Sequence, residues 1–528
     1  MTGSNSAELS ARPHRCQTGA VTPELVHSLR SDLDDAAFSV TTLTELWGAE
    51  ADAALHRNER VPALRALTVR RQAKGPEAPA TLATLFVLGL AVPRDDLAAA
   101  LPALTVEGAI ELGLVELEGG EVRPLLDLRP YSFVDGHGAG SWWIVSDLGE
   151  LALGGPLGEE HVLGVGGASI TLSGLMMQTP VGSVLDLGTG CGIQALHAAR
   201  HATRVVATDI STRALELAAL NAQLNSISNI EFRHGSLFEP VHGERFDQIV
   251  SNPPFVITPR AEGVPAYEYR DGGMEGDALV EAVLRGAAAH LHPGGVAQML
   301  GNWEYRVGQD AFRRVGGWID GTGLDAWIIE RDTQSAAQYA ETWIRDGGTK
   351  PGTPEFDRLY AAWLDDFEAR RVTEVGFGYV TLRMPLAGSP TLRRLERLHG
   401  SLGSNEAGLG LHLASVLGAH DWQAARTDAE LASAHLTVAP DVTEERHYWP
   451  GAEHPTAMML RQGGGFGRTV RMETALSALV GASDGDLSVG AVVAAIAQLL
   501  DVDFPELLAE LTPRIRDLLS DGFLLPAD

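Results

Sequence analysis

Between Ser183 and Leu300 the chain alternates short apolar runs with longer stretches in which apolar residues recur every three or four positions. Short apolar runs bounded by turn residues read as strands, and the 3.6-residue spacing reads as amphipathic helix. The pattern predicts strands at Ser183–Leu187, Arg204–Thr208, Ile230–Phe232, Phe246–Ser251 and Gly295–Leu300. Helices at Ile193–Ala202, Thr212–Asn225 and Ala278–His290 fall between them, and Leu215, Ala218, Ala219 and Ala222 share one helical face. Such alternation predicts an α/β domain built on a mostly parallel sheet. Asp325–Glu330 and Gly376–Met384 predict two further strands, separated by a helical insertion (334–371) that includes Ser335–Ile344 and Pro354–Arg370.

The flanks carry different patterns. Amphipathic segments around Pro23–Ala36, Ala63–Arg71 and Thr81–Leu90 lead to Arg94–Leu101 and Val106–Leu114. Two short β-like pieces come next, Val115–Leu117 and Val122–Leu125, joined by Glu118-Gly119-Gly120-Glu121. Helices followed by a small hairpin predict a winged-helix-like module. After Gly376–Met384, Ala457–Gln462 and Arg468–Glu473 flank Gly463-Gly464-Gly465-Phe466-Gly467, which predicts a glycine-rich hairpin. Helices at Ala475–Val480, Val489–Leu500 and Pro505–Leu519 come after it, then Phe523–Leu525, again in a winged-helix-like order. The expected organisation is a disordered tail (1–20), an N-terminal helical domain (21–130), a central α/β domain (131–386) and a C-terminal winged-helix-like domain (387–528).

Composition narrows the partners. The net charge of −29 over 528 residues, with Lys74 and Lys350 the only lysines, leaves no basic stripe of the kind that grips phosphates. No run of about 18 uncharged apolar residues is present, so no membrane span is expected. Two distant cysteines, Cys16 and Cys191, exclude a disulfide framework and fit a reducing cytoplasm.

The candidate chemistry lies in three strand ends. Val184-Leu185-Asp186-Leu187-Gly188-Thr189-Gly190-Cys191-Gly192 leaves an apolar strand, turns through alternate glycines and enters a helix. Glycine lets backbone approach a ligand closely, and a helix N-terminus offers free N–H groups to an anion. A dinucleotide phosphate and an amino-acid carboxylate both suit this loop. Asp209, after the second strand, can accept hydrogen bonds from ribose hydroxyls or cap the next helix. The fourth strand decides, because it ends directly in Asn252-Pro253-Pro254-Phe255. Two prolines fix the backbone and remove two donors. Their carbonyls and the Asn252 side-chain oxygen form a rigid acceptor array for the two protons of a planar –NH2 group, and Phe255 walls the plane.

Residues 161–301 resemble class I S-adenosylmethionine-dependent methyltransferases of the group that methylates amino nitrogens through an Asn-Pro-Pro-Phe/Tyr motif. The likeness is greatest to the N5-glutamine methyltransferases of peptide-chain release factors, with ribosomal RNA base N-methyltransferases next. Tyr269-Arg270-Asp271-Gly272-Gly273-Met274-Glu275-Gly276-Asp277-Ala278-Leu279 is similar to the glycine-rich stretch after the motif in the glutamine enzymes. The resemblance implies a Rossmann-like seven-stranded sheet whose last strand, around Gly376–Met384, is antiparallel. It implies S-adenosylmethionine as cofactor, with Asp186, Gly188, Thr189, Gly190 and Gly192 at its methionine part, Asp209 at the ribose and Ile210 at the adenine. Ser236 and Leu237 would adjoin the adenine, with serine where the family usually carries aspartate, and Asn252 would face both cofactor and substrate. Asn252, Pro253, Pro254 and Phe255 would be the catalytic residues. The implied substrate is a glutamine side chain on a protein of the translation apparatus. The alternatives are a base amino group in ribosomal RNA or DNA, a small-molecule amine, and a catalytically idle module that retains the cofactor fold.

Four other features have plainer readings. His290 and His292 suit a helix C-terminus better than a metal, and no metal site is expected. The Gly463–Gly467 loop lacks the lysine and the strand-to-helix context of a phosphate loop. Cys191 reads as packing, and Trp303 and Tyr305 as either core or substrate wall.

Overall fold

A computed structural model describes residues 22–154, 157–261, 263–265 and 270–527. The tail expected over 1–20, Cys16 and Tyr269 lie outside the described residues. The chain divides into two compact units. The first comprises the described residues of Met1–Tyr131, Trp142–Gly155 and Gln223–Ser226, and the second those of Ser132–Ser141, Pro156–Ala222 and Ile227–Asp528.

In the first unit, helices Pro23–Asp35, Val40–Trp47, Ala49–Leu55, Val61–Lys74 and Ala78–Leu82, the last continued by Ala83–Val87, bury Val26, Leu29, Leu33, Leu67, Leu82 and Phe86. Strand Val92–Pro93, helices Arg94–Ala100 and Thr105–Glu111, and a hairpin of Val115–Glu118 with Glu121–Pro124 complete the segment. The three strands form one small sheet, with Glu121–Pro124 in the middle. Buried Asp32 accepts from the Ala103 and Leu104 N–H groups at 2.8–3.1 Å, which ties the first helix to the turn before Thr105–Glu111.

The second unit is organised by an eight-stranded sheet. Its strands are β1 (Val181–Leu187), β2 (Ala202–Asp209), β3 (Ile230–His234), β4 (Phe246–Ser251), β5 (Leu291–Arg306), β6 (Asp325–Ser335), β7 (Val372–Arg383) and β8 (Arg393–Arg397). The spatial order is β8-β6-β7-β5-β4-β1-β2-β3. Strands β3, β2, β1, β4 and β5 are mutually parallel, and β7 runs antiparallel to both β5 and β6. The expected antiparallel strand near Gly376–Met384 is therefore present. The expected count of seven is corrected to eight, because β8 pairs parallel with β6 at the sheet edge. Its sequence, Arg-Arg-Leu-Glu-Arg, shows no apolar alternation, and ion pairs hold it, one within the strand and others to distant residues. Glu396 meets Arg394 at 2.9 Å and Arg468 at 2.6 Å, and accepts from Trp327 Nε1 at 2.7 Å.

Helices cover both faces: α1 (Gly167–Leu175), α2 (Ile193–Ala198), α3 (Thr212–Leu224), α4 (Ala278–His290) and α5 (Ala311–Ile319). The period of two along β1 explains the layering. Leu185 and Leu187 pack with Val280, Val283, Leu284 and Trp318 of α4 and α5. Val184 faces the other way, with Ala195 and Ala198 of α2. Helix α2 is shorter than expected because Ala202 already begins β2. Strand β5 runs six residues past the expected end and takes Trp303 and Tyr305 into the sheet.

The insertion forms α6 (Ala336–Asp346) and α7 (Pro354–Ala369). Their core of Tyr339, Ile344, Phe356, Leu359, Trp363 and Phe367 closes over Val256 and Ile257. Near the C-terminus, Ala457–Gln462 pairs with Thr469–Met472 around the glycine-rich turn. Helices Val489–Leu500 and Phe504–Ser520 enclose Val493, Leu511, Ile515, Leu519 and Phe523.

Candidate active site

The strand order reverses between β1 and β4, so loops leaving their C-terminal ends diverge and open a crevice. Leu187 on β1 is in register with Ser251 on β4 and with Thr208 on β2. Gly188, Asp209 and Asn252 therefore leave three adjacent strands at the same level. Ser251 Oγ donates to the Leu187 carbonyl at 2.8 Å and locks the two strand ends together.

Asp186 is fully buried. One carboxylate oxygen accepts from Thr189 Oγ1 at 2.6 Å, and the other has no hydrogen-bond partner among the described residues. Burial pushes its pKa up to about 7, against the opposing pull of the Thr189 hydroxyl. Gly188 (φ +75°) and Gly190 (φ +54°) have open space where a side chain would stand. At Gly192 (φ +89°) a Cβ would come within 2.9 Å of Ala218 Cβ, so that glycine serves close packing of the loop on α3. Asp209 accepts from the Gly190 N–H and the Ser211 N–H, both at 2.9 Å, which joins the first loop to the end of β2. Its pKa is raised by burial.

Ile210 is 61% exposed although it sits at the mouth of the sheet. The Gly235 N–H donates to the Asp209 carbonyl at 2.9 Å and brings Ser236 and Leu237 beside it. Leu237 takes φ +47°, an uncommon backbone for a branched side chain. The structure thus joins the Gly188–Gly190 turn and the turn at Gly235 to Asp209 at the end of β2. It places Gly166–Leu172 at the start of α1, held by Gln194 Nε2 on the Ser169 carbonyl at 2.8 Å.

The Asn252 turn is held from several sides. Pro253 is buried, and Pro254 and Phe255 are half-buried. The Asn252 side-chain oxygen is buried and has no hydrogen-bond partner among the described residues. A Cβ on Gly272 would stand 2.7 Å from the Pro254 carbonyl, so that oxygen faces the glycine stretch. Phe255 bridges to Asp271, the Val256 N–H donates to the Arg270 carbonyl at 2.8 Å, and Thr258 bonds Asp271. Phe255 meets Trp343 of α6 edge-on at 6.5 Å between ring centroids.

Residues 166–310 match the methyltransferase small domain. The chain is 41% identical over 130 residues to the release factor glutamine methyltransferase of Xylella fastidiosa, covering 23% of this chain and 47% of that protein. It is 39% identical over 127 residues to the ribosomal protein uL3 glutamine methyltransferase of Bradyrhizobium diazoefficiens (22% and 40%). A release factor glutamine methyltransferase of Moorella thermoacetica matches at 36% over 146 residues (26% and 52%). The chain spans about half the length of these curated relatives. The resemblance read from the motifs thus holds over this stretch. A solved methyltransferase from Pyrococcus furiosus aligns over 40% of this chain and 78% of its own at 18% identity and TM-score 0.24. Residues 35–125 and 415–526 match two families described as domains of unknown function, DUF7059 and DUF7782.

Other candidates around the methyltransferase domain resolve as structure. The Gly463–Gly467 loop spends its N–H groups on protein: Gly463 on the Asp441 carbonyl, Gly464 on the Asp441 carboxylate and Gly465 on Asn405 Oδ1, at 2.8–2.9 Å. His290 bonds the Gly286 carbonyl at 2.9 Å and stacks on Phe238 at 4.5 Å. Among the described residues no group of three metal-binding side chains occurs. Cys191 is buried, and burial pushes its thiol up to about 11. Trp303 Nε1 and Tyr305 OH both donate to the buried Glu330 carboxylate at 2.7 Å.

Two further groups lie near the motif, and only the first had no sequence signal. Asn302 on β5 and Tyr339 on α6 bond the chain just after the prolines. Asp277, at the end of the glycine stretch, pairs with Arg314 at 2.7 Å and accepts from the Glu304 N–H at 2.9 Å.

Proposed function

We propose that this protein transfers a methyl group from S-adenosylmethionine to a planar amide nitrogen, and that its substrate is a protein glutamine side chain. The observation that carries this reading is the buried, partnerless Asn252 side-chain oxygen at a turn stiffened by two prolines. A buried acceptor without a donor costs about 1–3 kcal/mol, a cost that a substrate N–H offsets. The lone pair of an amide nitrogen is delocalised, so the site must hold both N–H bonds and aim the nitrogen. Asn252 Oδ1 takes one proton, the Pro253 carbonyl takes the other, and Phe255 packs the plane. This is orientation plus electrostatic stabilisation, with no strong base. With the cofactor bound, the nitrogen held by Asn252 and Pro253 would bond the methyl carbon as the carbon–sulfur bond breaks, S-adenosylhomocysteine would be the leaving group, and the nitrogen's extra proton would pass to water or a backbone acceptor.

The residues present fit the cofactor. Asp186 offers a buried unpartnered carboxylate oxygen toward an ammonium, and Gly188 and Gly190 leave room on their open side. Asp209 suits ribose hydroxyls, and exposed Ile210 with Leu237 suits an adenine face. When bound, S-adenosylmethionine supplies an electrophilic methyl on sulfonium. The N-terminal segment, with its helix–strand–helix–helix–hairpin order, and the C-terminal segment are read as winged-helix-like substrate modules.

The test is transfer from labelled S-adenosylmethionine into a lysate of a strain deleted for this gene, comparing wild type with Asn252→Ala. Asn252-dependent label in protein, mapping to glutamine, is the expected result. Label in RNA, DNA or small molecules would replace glutamine as the substrate. Cofactor binding without any transfer would make the domain an idle module.

A further inference from the structure

The helical insertion reaches the reactive turn through buried polar contacts that the methyl-transfer chemistry does not use. Tyr339 on α6 and Asn302 on β5 are both fully buried. The Tyr339 hydroxyl accepts from the Ile257 N–H at 3.0 Å and from Asn302 Nδ2 at 3.0 Å. The same Asn302 amide donates to the Phe255 carbonyl at 2.7 Å. A closed set of three hydrogen bonds thus grips the chain at 255 and 257, directly after Pro253 and Pro254.

We propose that Tyr339 is a positioning residue for methyl transfer, acting with Asn302 on the Phe255–Ile257 backbone to hold the Asn252 turn in register with its acceptor nitrogen. The proposal rests on the reading of Asn252 as the group that orients the nitrogen. The prolines fix the φ angles of residues 253 and 254, but nothing within the turn fixes where the rigid piece points. Upstream, β4 and the Ser251–Leu187 bond hold its start; downstream, its orientation depends on the contacts of residues 255–257. On one side these are with the main chain at Arg270 and Asp271, and on the other with this hydroxyl and amide.

The ring of Tyr339 is itself clamped. It stacks on Phe377 at 5.7 Å and meets Trp363 and Phe367 at 6.0 and 5.9 Å. A phenylalanine at this position therefore keeps its packing and loses only the oxygen. That change leaves the Ile257 N–H and one Asn302 N–H without a partner in a buried core, and the turn gains freedom to shift. A displacement of about 1 Å at a reacting group can cost up to about a hundredfold in rate.

The experiment compares wild type, Tyr339→Phe, Asn302→Leu, the double variant and a packing control, Phe367→Leu, at a temperature well below every unfolding midpoint. The probe is the initial rate of methyl transfer into the deletion-strain lysate at saturating S-adenosylmethionine. It is read beside the calorimetric Kd for S-adenosylhomocysteine and hydrogen exchange of the peptide containing Ile257.

Tyr339→Phe is expected to lose about tenfold in maximal rate, with the Kd within about twofold of wild type and faster exchange at Ile257. The double variant should lose little more than the worse single, because the two side chains act as one unit. Phe367→Leu should lower the unfolding midpoint yet keep the rate within about twofold. An undiminished rate in Tyr339→Phe would overturn the proposal. So would an equal loss in Phe367→Leu, which would make the effect one of insertion stability. The acceptor fraction that takes the label decides the glutamine reading separately, since the ratio of variant to wild type is measurable whichever fraction it is. No transfer by the wild type would sink the methyl-transfer reading and this proposal with it.

Discussion

In the proposed cofactor site, the burial of Asp186 implies a pH sensitivity of defined direction. Burial raises its pKa from the ordinary aspartate range to about 7. In the unfolded chain the same carboxyl loses its proton near pH 4. Between those values the folded protein holds a proton that the unfolded chain has released, so stability falls as pH rises through this window. The slope is at most about 1.4 kcal/mol per pH unit, and the full window is worth roughly 4 kcal/mol. The stabilisation is complete below about pH 4 and has gone once pH passes about 7. A cofactor ammonium beside the unpartnered oxygen favours the ionised form, and so reverses the trend for the complex. At pH 6 a group with a pKa near 7 is about one-tenth ionised, so S-adenosylhomocysteine should bind about tenfold more weakly there than at pH 8, a difference of about 1.4 kcal/mol. Isothermal titration calorimetry of wild type and Asp186→Asn measures this, with proton release read from buffers of different ionisation enthalpy. The asparagine variant keeps an acceptor for the Thr189 hydroxyl but cannot titrate, so its affinity should be lower and flat over the same range. A flat wild-type profile, or an equal slope in Asp186→Asn, would refute the reasoning.

Two further perturbations separate packing from ligand space. Gly192→Ala must place a Cβ 2.9 Å from Ala218 Cβ at φ +89°, whereas Gly188→Ala at φ +75° meets nothing within 4 Å. The first should cost about 2–4 kcal/mol in urea unfolding, and the second about 1 kcal/mol with a larger loss of S-adenosylhomocysteine affinity. Arg314→Met leaves the buried Asp277 carboxylate without its 2.7 Å partner at the end of the glycine stretch. A loss of about 3 kcal/mol is expected by denaturant unfolding, with faster hydrogen exchange over 270–277.

The parts of the site legible in the sequence share a cause: each is a short-range pattern tied to a strand end. Asp186, Asp209 and Asn252 come at the ends of apolar runs whose lengths fix where the strands stop, and parallel register then brings the loops together. Helix α4 is legible to the residue because its apolar face is unbroken from Leu279 to Ala287. The features hidden from the sequence depend on partners far along the chain. The apolar pattern stops β5 at Leu300 because Asn302 and Glu304 look like a polar end. They are buried, and they find Tyr339 and Arg370 only after folding. Strand β8 has one apolar residue, Leu395, and stays in the sheet through Arg468 and Asp521, which lie more than 70 residues onward. The closeness of Gly272 to the Pro254 carbonyl has no sign in the motif, and only the fold brings the two together.

The central claim is that the Asn252 side-chain oxygen orients a planar nitrogen for methylation. The most direct measurement is mass spectrometry of a peptide-chain release factor from the same cell after incubation with S-adenosylmethionine and either wild type, Asn252→Ala or Asn252→Asp. The account predicts one added methyl on a glutamine side chain with the wild type and a rate at least about a hundredfold lower with alanine. Aspartate, which keeps an acceptor oxygen, should retain part of the rate, with S-adenosylhomocysteine binding preserved in both variants. Glutamine methylation that proceeds equally well with Asn252→Ala would contradict it.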